Sequence, residues 1–406
     1  MRLVVVSPFL DRRHGTELCV IEQIERLARL EKWTIDLYSQ RVEQLSSVTL
    51  PSNTLEEQPG SIVWHKVPGI PGPHLLKYLW WIAVNRWQRG WDQRLGQRTP
   101  DLVYSPGINC MDADVIVVHV LFHALYERVR SELALRRAPL ASWPRLIHRK
   151  LYYRLLMLLE NRMYRNPRVS LIAVSTLIAR KLEIYVGRGG VTVIPNAVDT
   201  RRFSPEARLE KRAQSRKQLS FAQDDFVVLL IGNDWKNKGL EGLLGAAALL
   251  HDLPIRLLIV GEDAPESYTS LIERLDLQHK VEFSEPSEDV LRFYAAADLY
   301  AGPSMEDSFC LPIAEAMACG LPVIASVNAG ASELIRHQDN GVLLHEPTDA
   351  TELASLIRTI VTDGELRERL GRAAARTIQA SCSWDRNAER TREFLQNVLG
   401  SDKSHS

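Results

Sequence analysis

Short β-branched apolar runs alternate along the chain with stretches whose apolar positions recur at helical spacing. Leu3–Ser7 is the first run; Pro8 closes it, a polar loop follows, and Val20, Ile24 and Leu27 mark one face of a helix. The alternation predicts further strands at Leu102–Ser105, Val115–His119, Leu171–Ser175 and Val191–Ile194. A stretch rich in charge, Arg201 to Asp225, reads as a linker, after which the pattern restarts with Phe226–Ile231, Arg256–Val260, Val281–Phe283, Leu299–Ala301 and Val323–Ala325. Strands alternating with helices imply parallel sheets covered on both faces. The chain therefore reads as α/β, with two Rossmann-like doubly wound domains at 1–200 and 201–385. Residues 386–406 read as a C-terminal helix, a candidate to pack back on the first domain, and a tail. In open sheets of this kind ligands sit beyond the carboxyl ends of the strands, so the loops there carry the chemistry.

Composition narrows the function classes. With 45% apolar and 25% charged residues among 406, the chain can bury a sizeable core and is not a disordered protein. Fifty basic residues against fifty acidic ones leave no net charge and remove the argument for wholesale nucleic-acid binding. The halves differ: residues 1–200 carry an excess of basic groups and 201–406 an equal excess of acidic ones, so the two face different partners. Five scattered cysteines form no CxxC pair and join no His cluster, which suggests neither a disulfide framework nor a metal site. The N-terminal apolar run is too short for a secretory signal, and the longest run, Tyr78–Val84, falls far below the roughly 18 residues that span a bilayer. A soluble cytoplasmic protein is expected.

Three loops hold candidate chemistry. The first leads through Gly15 and Thr16 into a helix, whose N-terminal N–H groups suit an anion; a plain turn is the competing reading. The second, Gly232-Asn233-Asp234-Trp235-Lys236-Asn237-Lys238-Gly239, places two lysines at a strand end, where they could bind a diphosphate or simply be solvated. The third is the most informative. From Pro303 a strand ends in a loop carrying Asp307, and a helix that Pro312 can open carries Glu315 among small apolar residues. Carboxylates there can accept hydrogen bonds from the paired hydroxyls of ribose and hexose rings, and Glu is rarely buried without a partner.

The segment 303–325 resembles the donor-site signature of retaining glycosyltransferases of the GT-B fold, family four (group 1), whose pattern is Glu, seven residues, Glu, then Ala-Met-Ala-x-Gly-x-Pro-Val. Further matches follow in that family's order: Ile172–Ser175, Val193–Phe203, Lys238-Gly239, Leu258–Gly261, Ala297–Leu299, Gly330 with Glu333, and Asn340-Gly341. The pattern is nearest to members that act on bacterial surface polysaccharides. The resemblance implies two domains facing each other across a cleft, the first for the acceptor and the second for a nucleotide-diphosphate sugar. It also implies transfer of a hexose-type sugar with retention, no metal, and no cofactor beyond the sugar nucleotide as co-substrate. By the same carry-over Lys238 neutralises the departing diphosphate with Asn233, Lys236, Gly15 and Thr16 near it, and Glu315 holds the ribose. Asp307, Ser308, Phe309, Cys310 and Leu311 orient the sugar, and His119 lies near the reaction centre with His123 as its competitor. The chain departs from the pattern in four places. Asp307 replaces a longer Glu, Ser308-Phe309-Cys310 replaces a frequent Gly-Phe-Gly, Asn233 replaces an Arg, and His14 replaces the first Gly of a Gly-Gly-x-Glu loop.

The acceptor side is read from two basic helices. His74–Leu95 has Trp80, Val84, Trp87 and Trp91 at helical spacing among Lys and Arg, and Tyr152, Leu156, Leu159 and Met163 form a second stripe. Core packing with solvated basic flanks is the favoured reading. Peripheral contact with the inner face of an anionic membrane is its rival, and the acceptor is then a glycan or a lipid-linked intermediate. Two other activities compete with the transferase: a GT-B-fold nucleotide-sugar epimerase or hydrolase, and a catalytically silent nucleotide-sugar-binding protein. The second gains from the substitutions at His14, Asn233 and Asp307.

Overall fold

A computed structural model describes residues 1–12, 15–43, 45, 48–49, 60–94, 99–130, 133, 139 and 142–403. The chain divides into two compact units, Met1–Pro195 with Asn387–Ser406, and Asn196–Arg386.

The strands of the first unit are β1 (Arg2–Val6), β2 (Phe9–Leu10), β3 (Thr34–Ser39), β4 (Arg41–Val42), β5 (Val48–Thr49), β6 (Ile62–Lys66), β7 (Leu102–Pro106), β8 (Val115–Val118), β9 (Ser170–Ala173) and β10 (Thr192–Val193). Eight of them form one sheet in the order β10-β9-β8-β7-β1-β3-β6-β5, every pairing parallel. The helices are α1 (Gly15–Glu31), α2 (His74–Arg94), α3 (Phe122–Val129), α4 (Trp143–Tyr164) and α5 (Thr176–Val186). Local chemistry sets their ends. Ser175 caps α5 by accepting the Ile178 N–H at 3.2 Å, and Gly187 ends it at φ 73°, where a side chain would be strained.

Strands β3 and β6 were not expected, because each carries a charged or ionisable residue where an apolar one would mark a strand. Asp36 in β3 accepts from Arg2 (2.6 and 3.1 Å) and meets His65 of β6 at 3.0 Å, so three polar side chains on neighbouring strands satisfy one another inside the sheet. The strand expected at Val191–Ile194 shortens to Thr192–Val193.

The second unit has β11 (Phe226–Ile231), β12 (Ile255–Val260), β13 (Val281–Ser284), β14 (Leu299–Gly302), β15 (Val323–Ser326) and β16 (Val342–Leu344). They pair in parallel in the order β13-β12-β11-β14-β15-β16, so the winding reverses between β11 and β14. Its helices are α6 (Pro205–Gln218), α7 (Leu240–Ala248), α8 (Thr269–Arg274), α9 (Leu291–Ala296), α10 (Leu311–Ala318), α11 (Ala350–Thr362) and α12 (Gly364–Ser381). A last helix, α13 (Trp384–Lys403), starts in this unit and continues into the first. One core runs beneath the sheet, from Val228 and Leu230 through Leu257 and Ile259 to Leu353 and Ile357.

Two expectations are corrected. The stretch 201–225 is not a plain linker: it contains α6, capped by Ser204, whose Oγ accepts the Ala207 N–H at 3.2 Å. It looked like a linker because its buried face is basic. Arg212 and Arg216 reach the Asp298 carboxylate at 2.6 and 3.1 Å and donate to the carbonyls of Ala297 and Ala296. The second correction concerns α2, whose Trp stripe is not core. Trp80, Trp87 and Trp91 are exposed, while the buried face is Trp81, Asn85 and Arg89. That face docks through polar groups: Trp81 Nε1 donates to the Asn109 carbonyl at 2.8 Å, and Arg89 pairs with Asp112 at 2.6 Å. In α4, Leu156 and Met163 are buried as expected, together with Glu160.

Candidate functional site

The reversal of winding between β11 and β14 opens a crevice at the carboxyl ends of those strands. Two of the loops singled out in the sequence leave from there. Bare backbone lets them pack together. At Gly239, with φ 80°, a Cβ would lie 2.0 Å from the Pro303 carbonyl oxygen; at Gly232, with φ 140°, it would lie 2.6 Å from the Lys238 Cε. Lys238 therefore lies folded against the start of its own loop. Asn237 joins the two loops by accepting the Met305 N–H and donating to the Glu306 carbonyl, each at 2.8 Å. Asp263 accepts the Asp234 N–H at 2.8 Å, and the buried Trp235 ring packs on Tyr268 and Phe283.

The loop after β14 is pinned from its other side. Asp307 donates its N–H to the Asn328 carbonyl and accepts from the Gly330 N–H, at 3.1 and 3.0 Å. Cys310 takes the left-handed φ of 70° that favours glycine, and α10 starts at the next residue with Pro312 in its first turn.

Within this frame Lys238 Nζ donates to Asp307 Oδ2 at 2.5 Å, and Asp307 Oδ1 accepts the Phe309 N–H at 3.1 Å. Cys310 Sγ is 3.7 Å from the same ammonium. Burial by itself would drive both charges out, but each partner outweighs it: the lysine is held above its ordinary range and the aspartate below it. Glu315, one turn into α10, accepts from the Tyr294 hydroxyl at 2.6 Å. Its carboxyl is raised by burial, against the opposing pull of Tyr294 and Arg202. Tyr300 links the pair, its hydroxyl 3.9 Å from Cys310 Sγ and its ring within the field of both carboxylates.

Lys238, Asp307, Phe309, Cys310 and Glu315 are thus brought into one neighbourhood, with Ser308 and Leu311 half-buried beside them. Asn233 is not part of it. Its side chain is tied to Glu262, accepting that N–H at 3.0 Å and reaching the carboxylate at 3.4 Å, while Lys236 is exposed. Gly15 and Thr16 open α1 in the first unit, and His14 lies outside the described residues. His119 follows β8 in that unit and is 5% exposed, with no hydrogen-bond partner for Nε2 among the described residues. Burial lowers its pKa to about 4, so it is neutral near pH 7. The competitor His123 is engaged otherwise: its Nδ1 lies 2.5 Å from the fully buried Glu160, which also accepts the N–H groups of Phe122 and His123 at the start of α3. Sequence reasoning missed Glu160, Tyr294 and Asn237. Only the position of Glu160 inside an apolar stripe could have flagged one of them.

Two parallel doubly wound units of this kind define the GT-B fold, and solved structures agree. The sucrose-phosphate synthase from Thermosynechococcus elongatus superposes with a TM-score of 0.74 at 20% identity, covering 99% of this chain and 100% of that one. Anabaena HepE, solved in complex with UDP and glucose, gives 0.67 at 23% identity over 98% and 99%. Residues 211–377, all within the second unit, match the model of the glycosyl transferases group 1. Among curated relatives, the D-inositol 3-phosphate glycosyltransferase of Salinispora arenicola is 34% identical over 212 residues, 48% of this chain and 47% of its own length. The chain spans about half the length of the curated relatives it matches first.

Proposed function

We propose that the chain is a retaining glycosyltransferase that moves a hexose-type sugar from a nucleotide-diphosphate sugar to a glycan or lipid-linked acceptor. The observation that carries this reading is the Lys238–Asp307 pair at the β11/β14 switch point, with Glu315 one turn into the helix that follows the Asp307 loop. A departing diphosphate gains negative charge as the bond to the anomeric carbon lengthens. Lys238 meets that charge without solvent reorganisation, and so favours the transition state over the ground state. This role calls for no metal. Asp307 and the amides of Phe309 and Cys310 orient the sugar, with Ser308 and Leu311 beside them. Glu315, one oxygen held by Tyr294, accepts the ribose hydroxyls with the other. Lys236 belongs to the outer part of the diphosphate site, while Asn233, its amide engaged with Glu262, takes no part in it. The first unit takes the acceptor, with His119 as a neutral donor or acceptor to the sugar and Gly15 and Thr16 at an anion-binding helix start. A lipid-linked acceptor brings the first unit's basic helices to the inner face of a membrane.

The HepE structure with UDP and glucose supports a sugar nucleotide as the ligand of this fold. The test is incubation with a panel of UDP-, GDP-, ADP- and dTDP-sugars. Slow release of free nucleotide, with the freed sugar keeping its anomeric configuration, is expected. An epimerised donor, or binding without any turnover when acceptor extracts are added, would overturn the proposal.

A further inference from the structure

Two helices of the first unit each turn an apolar stripe to solvent, which on α4 lies opposite the buried Leu156 and Met163. On α2, Leu76, Trp80, Trp87 and Trp91 recur at helical spacing and all are exposed, Trp87 to 65%. On α4, Trp143, Ile147, Leu151 and Leu158 do the same, Leu158 to 66%. The helices are neighbours: Tyr78 and Tyr152 meet edge to face at 6.1 Å, and the Leu75 N–H points at His148 Nε2 at 3.4 Å. A surface of this kind is costly in water and marks an interaction site.

Charge identifies the occupant. Of the four Lys or Arg residues of α2, Arg89 is buried against Asp112 while Lys77, Arg86 and Arg94 are exposed; α4 carries five, and each helix has one acid. Both acids are engaged away from that face. Asp92 accepts from the Tyr38 hydroxyl at 2.9 Å, and Glu160 is fully buried beside His123. On α4 the exposed Arg154 and Arg162 continue the same stripe as Leu151 and Leu158.

We infer that α2 and α4 together form a docking face for a bilayer surface rich in anionic phospholipid. Tryptophan suits the headgroup boundary, aliphatic side chains the acyl region just below it, and the cations the phosphates around them. A second copy of the chain would set these cations against themselves. A soluble saccharide could stack on the Trp87–Trp91 pair, whose rings lie 5.9 Å apart, but has no use for four exposed aliphatic side chains. The inference deepens the lipid-linked reading and rests on it for the acceptor; the surface itself stands on exposure and charge.

The test is co-sedimentation of the full chain with vesicles of phosphatidylcholine alone, and of equal parts phosphatidylcholine and phosphatidylglycerol. Binding is expected only to the second, falling as salt rises. Trp87→Ser with Trp91→Ser should weaken it by about tenfold or more. Arg154→Gln with Arg162→Gln, on the other helix, should weaken it by about 25-fold, taking about 1 kcal/mol per basic residue. No binding to either vesicle, equal binding to both, unchanged binding by both variants, or displacement by a soluble oligosaccharide would overturn the inference. Binding of nucleotide sugars, read by thermal shift on the same samples, separates the two proposals. Vesicle failure with donor binding intact removes only the docking face, and donor failure with vesicle binding intact removes only the transferase reading.

Discussion

Replacing Lys238 with methionine keeps the stem and deletes the charge that Asp307 faces at 2.5 Å. Both side chains are largely buried, 13% and 18% exposed, so the abandoned carboxylate is left with the Phe309 N–H, the Cys310 thiol and little water. Breaking one side of a well-buried pair costs about 3–5 kcal/mol; the residual exposure brings the expected loss here to about 2–3 kcal/mol. For a unit of this size that lowers the melting temperature by roughly 4–12 °C. The loss must depend on pH. In the wild type Asp307 titrates below its unfolded value, so its contribution is complete above the ordinary carboxyl range and disappears as pH falls through the folded pKa. In Lys238→Met burial is unopposed by the lysine and pushes the carboxyl up, so protonation relieves the variant first, and its deficit against wild type narrows as pH drops from 7 towards 4. Adding Asp307→Asn to Lys238→Met should recover much of the loss by removing the stranded charge. Thermal unfolding and urea denaturation of wild type, both single variants and the double variant at pH 7 and pH 5 provide the check. A deficit that does not change with pH, together with additive single losses, would refute the account of the pair.

Three other outcomes are expected. Glu315→Gln keeps an oxygen for the Tyr294 hydroxyl and should fold normally, yet lose about 100-fold in donor turnover, because charge-assisted hydrogen bonds to hydroxyls contribute about 1.5–3 kcal/mol each; nucleotide release under matched unfolding curves measures it. His119 titrates at about 4 when folded and near 6.5 when unfolded, so the unfolded chain binds the extra proton between those values. Stability should fall by about 3 kcal/mol from pH 7 to pH 4 through this group, and urea titrations should show the slope flattened in His119→Gln. Gly239→Ala puts a methyl 2.0 Å from the Pro303 carbonyl at a left-handed φ, and should separate the two site loops, seen as lost nucleotide-sugar binding together with a lower melting temperature.

What could be read in the sequence follows from how each element hides its polar groups. Strands buried on both faces, such as β11, announce themselves as unbroken apolar runs. Asp36 and His65 concealed β3 and β6, since the partners that neutralise them come from other strands and leave no local trace. Arg212 and Arg216 concealed α6 for the same reason: a helix that buries guanidinium groups on a carboxylate looks like a charged linker. Periodicity found the Trp stripe of α2 but could not say which face was inward, because Asn85 and Arg89 dock by hydrogen bonds instead of by apolar area. At the site, the residue order brought Lys238, Asp307 and Glu315 forward. The Asn233–Glu262 tie and the Tyr294 support depend on contacts across strands and helices that spacing does not encode.

The route of α13 bears on how the molecule is made. Asn387 accepts from Gln23 at 2.9 Å and donates to the Pro195 carbonyl at 2.6 Å, and Arg392 reaches Glu31 at 3.4 Å, so residues near the end of the chain close a unit begun at its start. During synthesis the later unit has all its strands before the earlier one has its closing helix. The opening half therefore completes its packing only once a segment more than 190 residues further on has been made, and a truncation near Arg386 would strip it of that clasp while leaving every strand of its sheet in place.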